Sequence, residues 1–187
     1  PLQAGITYSR FILSSSFHFI FSIFYSYMTT FLKSYDEVFV ATGNNDIREN
    51  KITMLKTMDI TIGTLIHPRA LISPTAKVLA GTIVLANAVV NTNATVGMGC
   101  IINTATIIEH DCIIEDFVNI SPNTAIAGHT KIGQKTFIGV GTAIIDDIVV
   151  GKEVIIGAGS SVISNIPEYT TVVGVPAKVI KVHKNHK

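Results

Sequence analysis

The chain has few of the features that cross-link small proteins or attract charged partners, namely cysteines and charged side chains. Of its 187 residues only 14% are charged, none is Trp and two are Cys. The net charge of +1 provides no excess of basic side chains to attract nucleic acid or an anionic membrane surface. Two cysteines cannot build a disulfide framework, so we expect no disulfide and a reducing, cytoplasmic location. A chain of this length forms one domain, with at most a small extra lobe.

Charge is also absent from the whole run between Arg10 and Lys33. Such a run is long enough to cross a bilayer. However, three consecutive serines, a histidine and four further hydroxyl residues interrupt it and suit a membrane helix poorly. It also lacks the compact apolar core and the small-residue cleavage site of a secretory signal. We therefore expect residues 1–34 to form an atypical Phe/Ser-rich segment that does not enter a membrane.

What the chain does contain, from Ile66 onward, is an internal repeat with a period of six residues. Every sixth residue is Ile or Val at 17 consecutive positions, which are Ile66, Ile72, Val78, Val84, Val90, Val96, Ile102, Ile108, Ile114, Ile120, Ile126, Ile132, Ile138, Ile144, Val150, Ile156 and Val162. The residue two positions before each is mostly Ala, Thr or Cys. Side chains two apart on a strand point to the same side, so both registers are predicted to face the interior.

The residue directly after each Ile or Val is often Gly or Asn, as at Asn91, Gly97, Gly133 and Gly139. Both residue types tolerate positive φ, so we expect tight corners at these positions. Strand and corner alternating every six residues predict an all-β solenoid of parallel strands, three sides to a coil, over residues 63–166. Each buried Ile or Val contributes roughly 1.5–3 kcal/mol of burial free energy, before entropy is counted.

The two cysteines fall into the small, inward-facing register of this repeat. Cys100 and Cys112 are two repeats apart, which places them on different sides of one coil. Small buried side chains are the ordinary role of unpaired cysteines. We therefore expect two free thiols in the core.

Three segments carry a resemblance to a known family: IHP at 66–68, INTATIIEHDCIIEDFVNISPNTAIAG at 102–128 and VVGVPAKVI at 172–180. Together with the hexapeptide repeat, they resemble the hexapeptide-repeat acyltransferases. Within that family they are similar to the sialic-acid O-acetyltransferases and UDP-amino-sugar N-acetyltransferases of the NeuD- and PglD-like subfamily. The resemblance implies a left-handed parallel β-helix, an exception to right-handed crossovers. It further implies a homotrimer with active sites between subunits, acetyl-CoA as acyl donor and no metal.

The resemblance also implies a truncated α/β lobe that binds a sugar nucleotide, over residues 35–62. The family's Gly-Gly-His-Gly/Ala phosphate loop does not occur in residues 1–34. What resembles the lobe is YDEVFVATGNN at 35–45, a short strand at 38–41 and a helix-like segment at 46–58. The equivalent strand end contacts the nucleotide in the family, so Gly43, Asn44 and Asn45 are candidate substrate contacts. An ordinary strand-to-helix turn is the alternative.

Glu109, His110 and Asp111 form the most informative polar cluster in the repeat. His110 lies two residues after the inward Ile108, at a corner, and should project outward. Imidazole is suited to removing a proton near neutral pH, and an adjacent carboxylate can hold its tautomer. The resemblance makes His110 the general base and Asp111 its partner. Glu109, which should point away on the strand, is interpreted as a bystander.

The remaining candidates also come from the resemblance. It places Asn103 near the acceptor, although corner geometry alone would also explain an Asn there. For the donor it indicates Asn119, Gly128, Val140, Ala158 and Lys178. Asn119 stands where relatives often have a histidine, and simple coil packing is the alternative for Gly128, Val140 and Ala158. Lys178, in the GVPAK segment of a C-terminal tail at 167–187, could meet CoA phosphates.

Two alternatives to a transferase stay open on the same fold. A zinc site like that of the γ-class carbonic anhydrases needs three histidines. His110 and His129, one coil plus one residue apart, could approach each other, but no third histidine falls nearby, and His129 is interpreted as lying at the edge of the cofactor cleft. The second alternative is an inactive trimeric scaffold.

Overall fold

The computed structural model describes residues 10–14 and 25–183 of the chain. The chain divides into an N-terminal unit ending at Gly63 and a larger unit that begins at Thr64. Within the described residues, no helix combines the length and the apolar character needed to span a membrane.

The N-terminal unit is a small α/β arrangement of parallel strands. Its elements are β1 (Arg10–Ser14), α1 (Tyr25–Lys33), β2 (Glu37–Ala41) and α2 (Asn45–Thr57). β1 pairs in parallel with β2 along its whole length, and Val38 of β2 forms a parallel bridge to Ile62. β2 is therefore the central strand, with Val38, Phe39 and Val40 buried. The unit thus includes a strand and a helix from the segment set apart above as residues 1–34.

Helix α2 begins and ends where its side chains favour it. The side-chain oxygen of Asn44 accepts a hydrogen bond from the backbone N–H of Ile47 and caps the N-terminus. Asp46 lies in the first turn and Lys56 in the last, so both charges complement the helix dipole. Ile52 and Leu55 face inward and are fully buried. The observed helix starts one residue before the predicted segment and ends one residue before it.

The larger unit consists mainly of 17 two-residue strands, each ending on an Ile or Val of the repeat. In chain order, β3 to β19 are Leu65–Ile66, Leu71–Ile72, Lys77–Val78, Ile83–Val84, Val89–Val90, Thr95–Val96, Ile101–Ile102, Ile107–Ile108, Ile113–Ile114, Asn119–Ile120, Ala125–Ile126, Lys131–Ile132, Phe137–Ile138, Ala143–Ile144, Val149–Val150, Ile155–Ile156 and Ser161–Val162. Two further strands follow, β20 (Thr170–Val173) and β21 (Lys178–Val182).

Every third strand stacks on the one before it, which forms three parallel sheets. Sheet I contains β3, β6, β9, β12, β15, β18 and β20, with β21 added antiparallel at its end; sheet II runs from β4 to β19, and sheet III from β5 to β17. Strand partners are therefore three repeats, or one coil, apart in the chain, as in Ile108 with Val90 and Ile126. The predicted parallel β-solenoid of hexapeptide repeats is confirmed, with about six turns.

The interior of the solenoid is a column of the two predicted registers. From Val84 to Val162 every Ile or Val of the repeat is at most 3% exposed. Cys100 and Cys112 are buried in the same column and neither forms a disulfide, as their register predicts. At the first coil, Ile66 is 44% exposed, because no earlier coil stacks on that side.

Buried threonine hydroxyls of the small register are satisfied by the neighbouring coil. Thr82 donates to the carbonyl of Gly97 at 2.7 Å, Thr136 to Gly151 at 2.9 Å and Thr130 to Ile145 at 3.0 Å. In the described part of the chain no buried side-chain nitrogen or oxygen lacks a hydrogen-bond partner. Polar atoms in the column therefore tie coils together without an unmet desolvation cost.

The corners differ from the prediction in one respect. From Val78 to Ile156, positive φ occurs three residues after each Ile or Val of the repeat, as at Asn93, Ala105 and Phe117, and not at the glycines directly after it. Those glycines have a different cause. A Cβ on Gly133 or Gly139 would lie 2.5 Å from a backbone atom of the next coil. The prediction of left-handed corners at that register is therefore wrong: the glycines there permit close stacking, and the turn itself lies two residues later.

This distinction predicts unequal costs for two Gly→Ala substitutions. In Gly133→Ala the new methyl meets hydrogen-bonded backbone, so we expect a loss of about 3 kcal/mol or more in unfolding free energy. In Gly141→Ala the methyl meets nothing within 4 Å, and only the strain of φ +68° remains, about 1–2 kcal/mol. Denaturant unfolding of both variants checks the order. Equal losses, or a larger loss for Gly141→Ala, would contradict the stacking explanation.

Candidate active site

His110 and His129 lie at one of the three edges of the solenoid, the edge between sheets II and III. Four successive turns of this edge, defined here as the catalytic edge, comprise residues 91–94, 109–112, 127–130 and 145–148. They contribute Glu109, His110, Asp111, His129 and the pair Asp146–Asp147. Because each turn stacks on the previous one, residues separated by one coil lie at the same position on neighbouring turns. The edge is therefore a set of short side-chain ladders.

His110 and Asp111 are in direct contact on this edge. Nδ1 of the half-exposed His110 ring lies 2.9 Å from Oδ2 of Asp111. The other carboxylate oxygen, Oδ1, accepts a hydrogen bond at 3.1 Å from Nδ2 of Asn93. Asn93 was not among the sequence candidates, although it lies one coil before Asp111 at the same register. Counting back one coil of 18 residues from Asp111 leads to Asn93, so the period of the repeat is the signal that could have identified it.

The electrostatics of Asp111 determine the tautomer of His110. The hydrogen bond with His110 is the main cause that lowers the pKa of the Asp111 carboxyl, and the Asn93 hydrogen bond and the nearby His129 lower it further. At neutral pH Asp111 is therefore an anion, and a carboxylate can only accept hydrogen bonds. Nδ1 of His110 then carries the proton, and in the neutral imidazole the Nε2 lone pair is available. This arrangement is the one that a general base requires.

Two residues of the next turn surround the His110 ring. Gly128 lies one coil after His110 at the same register, and a Cβ built on it would be 2.7 Å from Cε1 and 2.8 Å from Nε2 of the ring. The ring of His129 stands edge-on to that of His110, with centroids 5.1 Å apart and planes at 84°. The structure thus brings His110, Asp111, Gly128 and His129 together.

Glu109 has a different partner from its neighbours. Its Oε2 accepts a hydrogen bond at 3.0 Å from Nδ2 of Asn91, which again lies one coil earlier. Asn91 and Glu109 therefore form a ladder parallel to that of Asn93 and Asp111. No hydrogen bond joins Glu109 to the His110 ring among the described contacts.

The cluster also contains possible metal-ligand atoms. One such atom from each of His110, Asp111 and His129 lies within 4.8 Å of the other two. Two of these groups, however, already bond to one another through the Nδ1–Oδ2 contact. The three-histidine set of the carbonic anhydrase alternative is not assembled among the described residues.

The other sequence candidates of the solenoid lie elsewhere. Asn103, Val140 and Ala158 occupy a second edge, between sheets I and II, and Val140 and Ala158 are exposed there. Asn119 is buried in sheet I, in register with Ile101 and Phe137. Lys178 is exposed at the start of β21. Within one chain, sheet II separates Asn103, Val140 and Ala158 from the catalytic edge.

The candidates Gly43, Asn44 and Asn45 form the turn between β2 and α2 of the N-terminal unit. Arg48, which is fully buried, holds this turn from inside. Its Nη1 donates to the carbonyls of Thr42 and Gly43 at 3.0 and 3.3 Å, and its Nη2 donates to Oδ1 of Asn45 at 2.7 Å. Arg48 was not among the sequence candidates, since a charged helix residue ordinarily predicts an exposed position.

Comparison with curated proteins identifies a serine acetyltransferase from Buchnera aphidicola subsp. Schizaphis graminum. It is 39% identical to this chain over 63 residues, which are 34% of this chain and 24% of that protein. The match thus spans about a quarter of that relative's length. A scan against models of protein families finds none that matches.

Solved structures share the fold over most of the chain. The acetyltransferase domain of PglB from Neisseria gonorrhoeae, in complex with acetyl coenzyme A, has a TM-score of 0.78 at 37% identity, over 81% of this chain and 76% of that one. PerB from Caulobacter crescentus, in complex with CoA and GDP-perosamine, has a TM-score of 0.79 at 30% identity, over 83% and 76%. WeeI from Acinetobacter baumannii has a TM-score of 0.74 at 26% identity, over 77% and 70%.

The contacts of Asp111 predict how its titration responds to mutation. Asn93→Ala removes one of the two hydrogen bonds to the carboxylate, so the pKa of Asp111 should rise toward its ordinary value of about 3.9. Carbon-13 NMR titration of the side chain measures it. Since the folded pKa lies below the unfolded one, the carboxylate stabilises the fold above the unfolded pKa, and this contribution disappears as pH falls through the folded pKa.

Asn91→Ala is the matched control, because Asn91 is the equivalent rung on the neighbouring ladder and donates to Glu109 instead. It should leave the pKa of Asp111 unchanged. A shift as large as that of Asn93→Ala would show that the Asn93 contact is not the cause.

Proposed function

The chain belongs to the hexapeptide-repeat sugar acetyltransferases, and on that premise we propose that it transfers an acetyl group from acetyl-CoA to an amino or hydroxyl group of a sugar or sugar nucleotide. His110 is the general base of this reaction and Asp111 its orienting partner. Two relatives support the ligand classes: the PglB domain holds acetyl coenzyme A, and PerB holds CoA together with GDP-perosamine.

The observation that carries the proposal is the 2.9 Å contact between Nδ1 of His110 and Oδ2 of Asp111. In the neutral imidazole it leaves Nε2 as the nitrogen without a proton, on a ring whose side chain is half-exposed. Acetyl transfer needs such a group, because an amine or hydroxyl loses its proton as it attacks the thioester carbonyl. A positioned base typically accelerates such a step by about 100- to 10,000-fold.

The proton balance of the reaction uses His110 twice. Nε2 accepts the proton from the attacking nitrogen or oxygen while the new bond to the acetyl carbon forms. The Asp111 carboxylate stabilises the imidazolium that results. As the carbon–sulfur bond breaks, the imidazolium returns the proton to the leaving sulfur, which gives the free thiol of CoA. The base is thereby regenerated for the next turnover.

Substrate contacts are assigned within the same proposal. Gly128, Val140, Ala158 and Lys178 border the donor, with Asn119 the least accessible of the donor candidates. Asn103 lies near the acceptor, and the turn Gly43–Asn45, held by Arg48, contacts its nucleotide. Two cysteines outside any disulfide fit a cytoplasmic location.

We further propose a homotrimer in which the second edge of one subunit meets the catalytic edge of the next. The second edge and the adjoining face of sheet I are apolar: Val140 of the edge is 48% exposed, and Phe137 and Ile155 of sheet I are 38% and 42% exposed. Contiguous exposed apolar side chains of this size commonly mark an interface. An interface between two different edges is heterologous, and it closes into a three-membered ring when the rotation between neighbouring subunits is 120°. Such a ring would unite donor and catalytic residues that one chain keeps apart.

The role of His110 predicts a sharp contrast between neighbouring residues. His110→Ala should lower kcat by about 100- to 10,000-fold because the base is lost. Glu109→Gln, the matched control, keeps an oxygen for the Asn91 hydrogen bond and should retain near-native activity. Release of the CoA thiol, with acetyl-CoA and a panel of nucleotide-linked amino and hydroxy sugars, measures both. The protein's own thiols should stay silent in this assay, since both cysteines are buried and burial raises the pKa of the Cys112 thiol.

The same experiment separates the two alternatives. Thiol release by the His110→Ala variant at the native rate would contradict the role of His110 as the base. Absence of release with every acceptor would favour the inactive scaffold. CO₂ hydration that is lost on treatment with a chelator and restored by zinc would favour the metalloenzyme.

The trimer proposal predicts complementation between two inactive variants. Ala158→Trp fills the second edge and His110→Ala removes the base, so neither homotrimer should be active. If each site combines one edge from each of two subunits, every mixed trimer regains one intact site, which is about one quarter of all sites at equal mixing. Light scattering confirms that both variants assemble. If mixing the two variants restores no activity, His110 and Ala158 belong to a site within one subunit.

A further inference from the structure

The sequence position of Gly128 is unusual within the repeat. It lies two residues after Ile126, and it is the only glycine at this register between Pro68 and Ser164. The other occupants include Met98, Asp116 and Gln134. The register therefore accepts side chains of many sizes. The absence of a side chain at residue 128 must therefore have a cause that is specific to this position.

Backbone geometry does not require the glycine. Gly128 is absent from the positions of positive φ, so its conformation is open to any L-residue. Stacking on a later coil does not require it either. The three atoms nearest to an added Cβ are all in the His110 ring, with Cε1 at 2.7 Å, Nε2 at 2.8 Å and Nδ1 at 3.2 Å. The ring itself occupies the space that a side chain at residue 128 would need.

His129 closes a second side of the same ring. It follows Gly128 directly and contacts His110 in an edge-to-face arrangement at 5.1 Å. Its backbone N–H donates to the carbonyl of His110 at 3.1 Å, which fixes the two turns against each other. Asp111 holds the third side through Nδ1. An exposed imidazole is thus constrained from three directions.

We propose that Gly128 and His129 are positioning residues for the general base: Gly128 supplies the space into which the His110 ring lies, and His129 supplies the wall that keeps it there. This inference rests on the proposed function of His110. In the donor-site assignment the backbone of Gly128 contacts acetyl-CoA. In this inference the absence of a side chain at Gly128 leaves room for the His110 ring.

Gly128→Ala tests the space. The methyl must displace the ring, and a misplacement approaching about 1 Å lowers kcat by up to about 100-fold. We expect a loss of kcat of roughly 10- to 100-fold, with the KM for acetyl-CoA within about twofold of the native value. In the His110→Ala background the same substitution should cause no further loss, since a residue that acts only through His110 has nothing left to position.

Two substitutions at His129 test the wall. Phe117 and Ala105 occupy the equivalent corner register with positive φ, so the chain already tolerates both residue types there. His129→Phe keeps an aromatic edge and should retain near-native kcat. His129→Ala removes it and should lower kcat several-fold. Equal activity of the two variants would remove His129 from the proposal.

Nitrogen-15 NMR of the His110 imidazole provides a readout besides activity. Its ring resonances should shift in Gly128→Ala and stay in place in His129→Phe. Unchanged resonances in Gly128→Ala overturn the inference whatever the kinetics show. A raised KM for acetyl-CoA at unchanged kcat also overturns it, and leaves Gly128 as a donor contact. If activity survives in His110→Ala, His110 is not the general base. That result rejects the proposed function, but it does not contradict the packing of the His110 ring against Gly128 and His129.

Discussion

The stacking of each coil directly on the next, always offset by three repeats, is the constraint on which the larger unit depends. Strand pairs such as Ile108 with Val90 and Ile126 set this offset, and parallel strands bring neighbouring coils to about 4.8 Å. At that spacing a residue has only two neighbours along its edge, one in the coil before and one in the coil after. The buried Ile and Val columns, the threonine bonds between coils and the Asn93–Asp111 contact all follow from it.

The same constraint explains why two kinds of glycine occur at the corners. Gly133 has no side chain because the backbone of the next coil lies where a Cβ would be. Gly141 stands at the turn itself, in open space, where φ is positive. A sequence read one coil at a time cannot separate these causes, because both produce a glycine soon after an Ile or Val. Only the three-dimensional offset shows that the first kind is fixed by a neighbour and the second by its own backbone.

Much of the fold and less of the site could be predicted from the sequence, for a physical reason. Side-chain direction on a strand repeats with the chain, so a period of six shows directly as a regular series of inward Ile or Val positions. Strand β1 carries no such repeat and lies at the start of an uncharged run, which hid it. His110 and Asp111 are adjacent, and a motif reveals them together. Asn93 and Gly128 contact this pair from other coils, so no local motif contains them. Arg48 is a charged side chain on a buried helix face, where the sequence predicts apolar residues.

An exposed imidazole proposed as a base, on a rigid scaffold, poses a problem that burial would otherwise solve. Side chains in a core are oriented by close packing, whereas an imidazole on an outer edge is free to occupy several rotamers. The solenoid addresses this without covering the ring. The preceding coil supplies Asn93 to hold Asp111, the same turn supplies Asp111 to hold Nδ1, and the following coil supplies Gly128 and His129. Because backbone hydrogen bonds fix each coil on the next, contacts from neighbouring coils are as constant as contacts within a core. The half-exposed ring can then keep one orientation while part of it faces solvent.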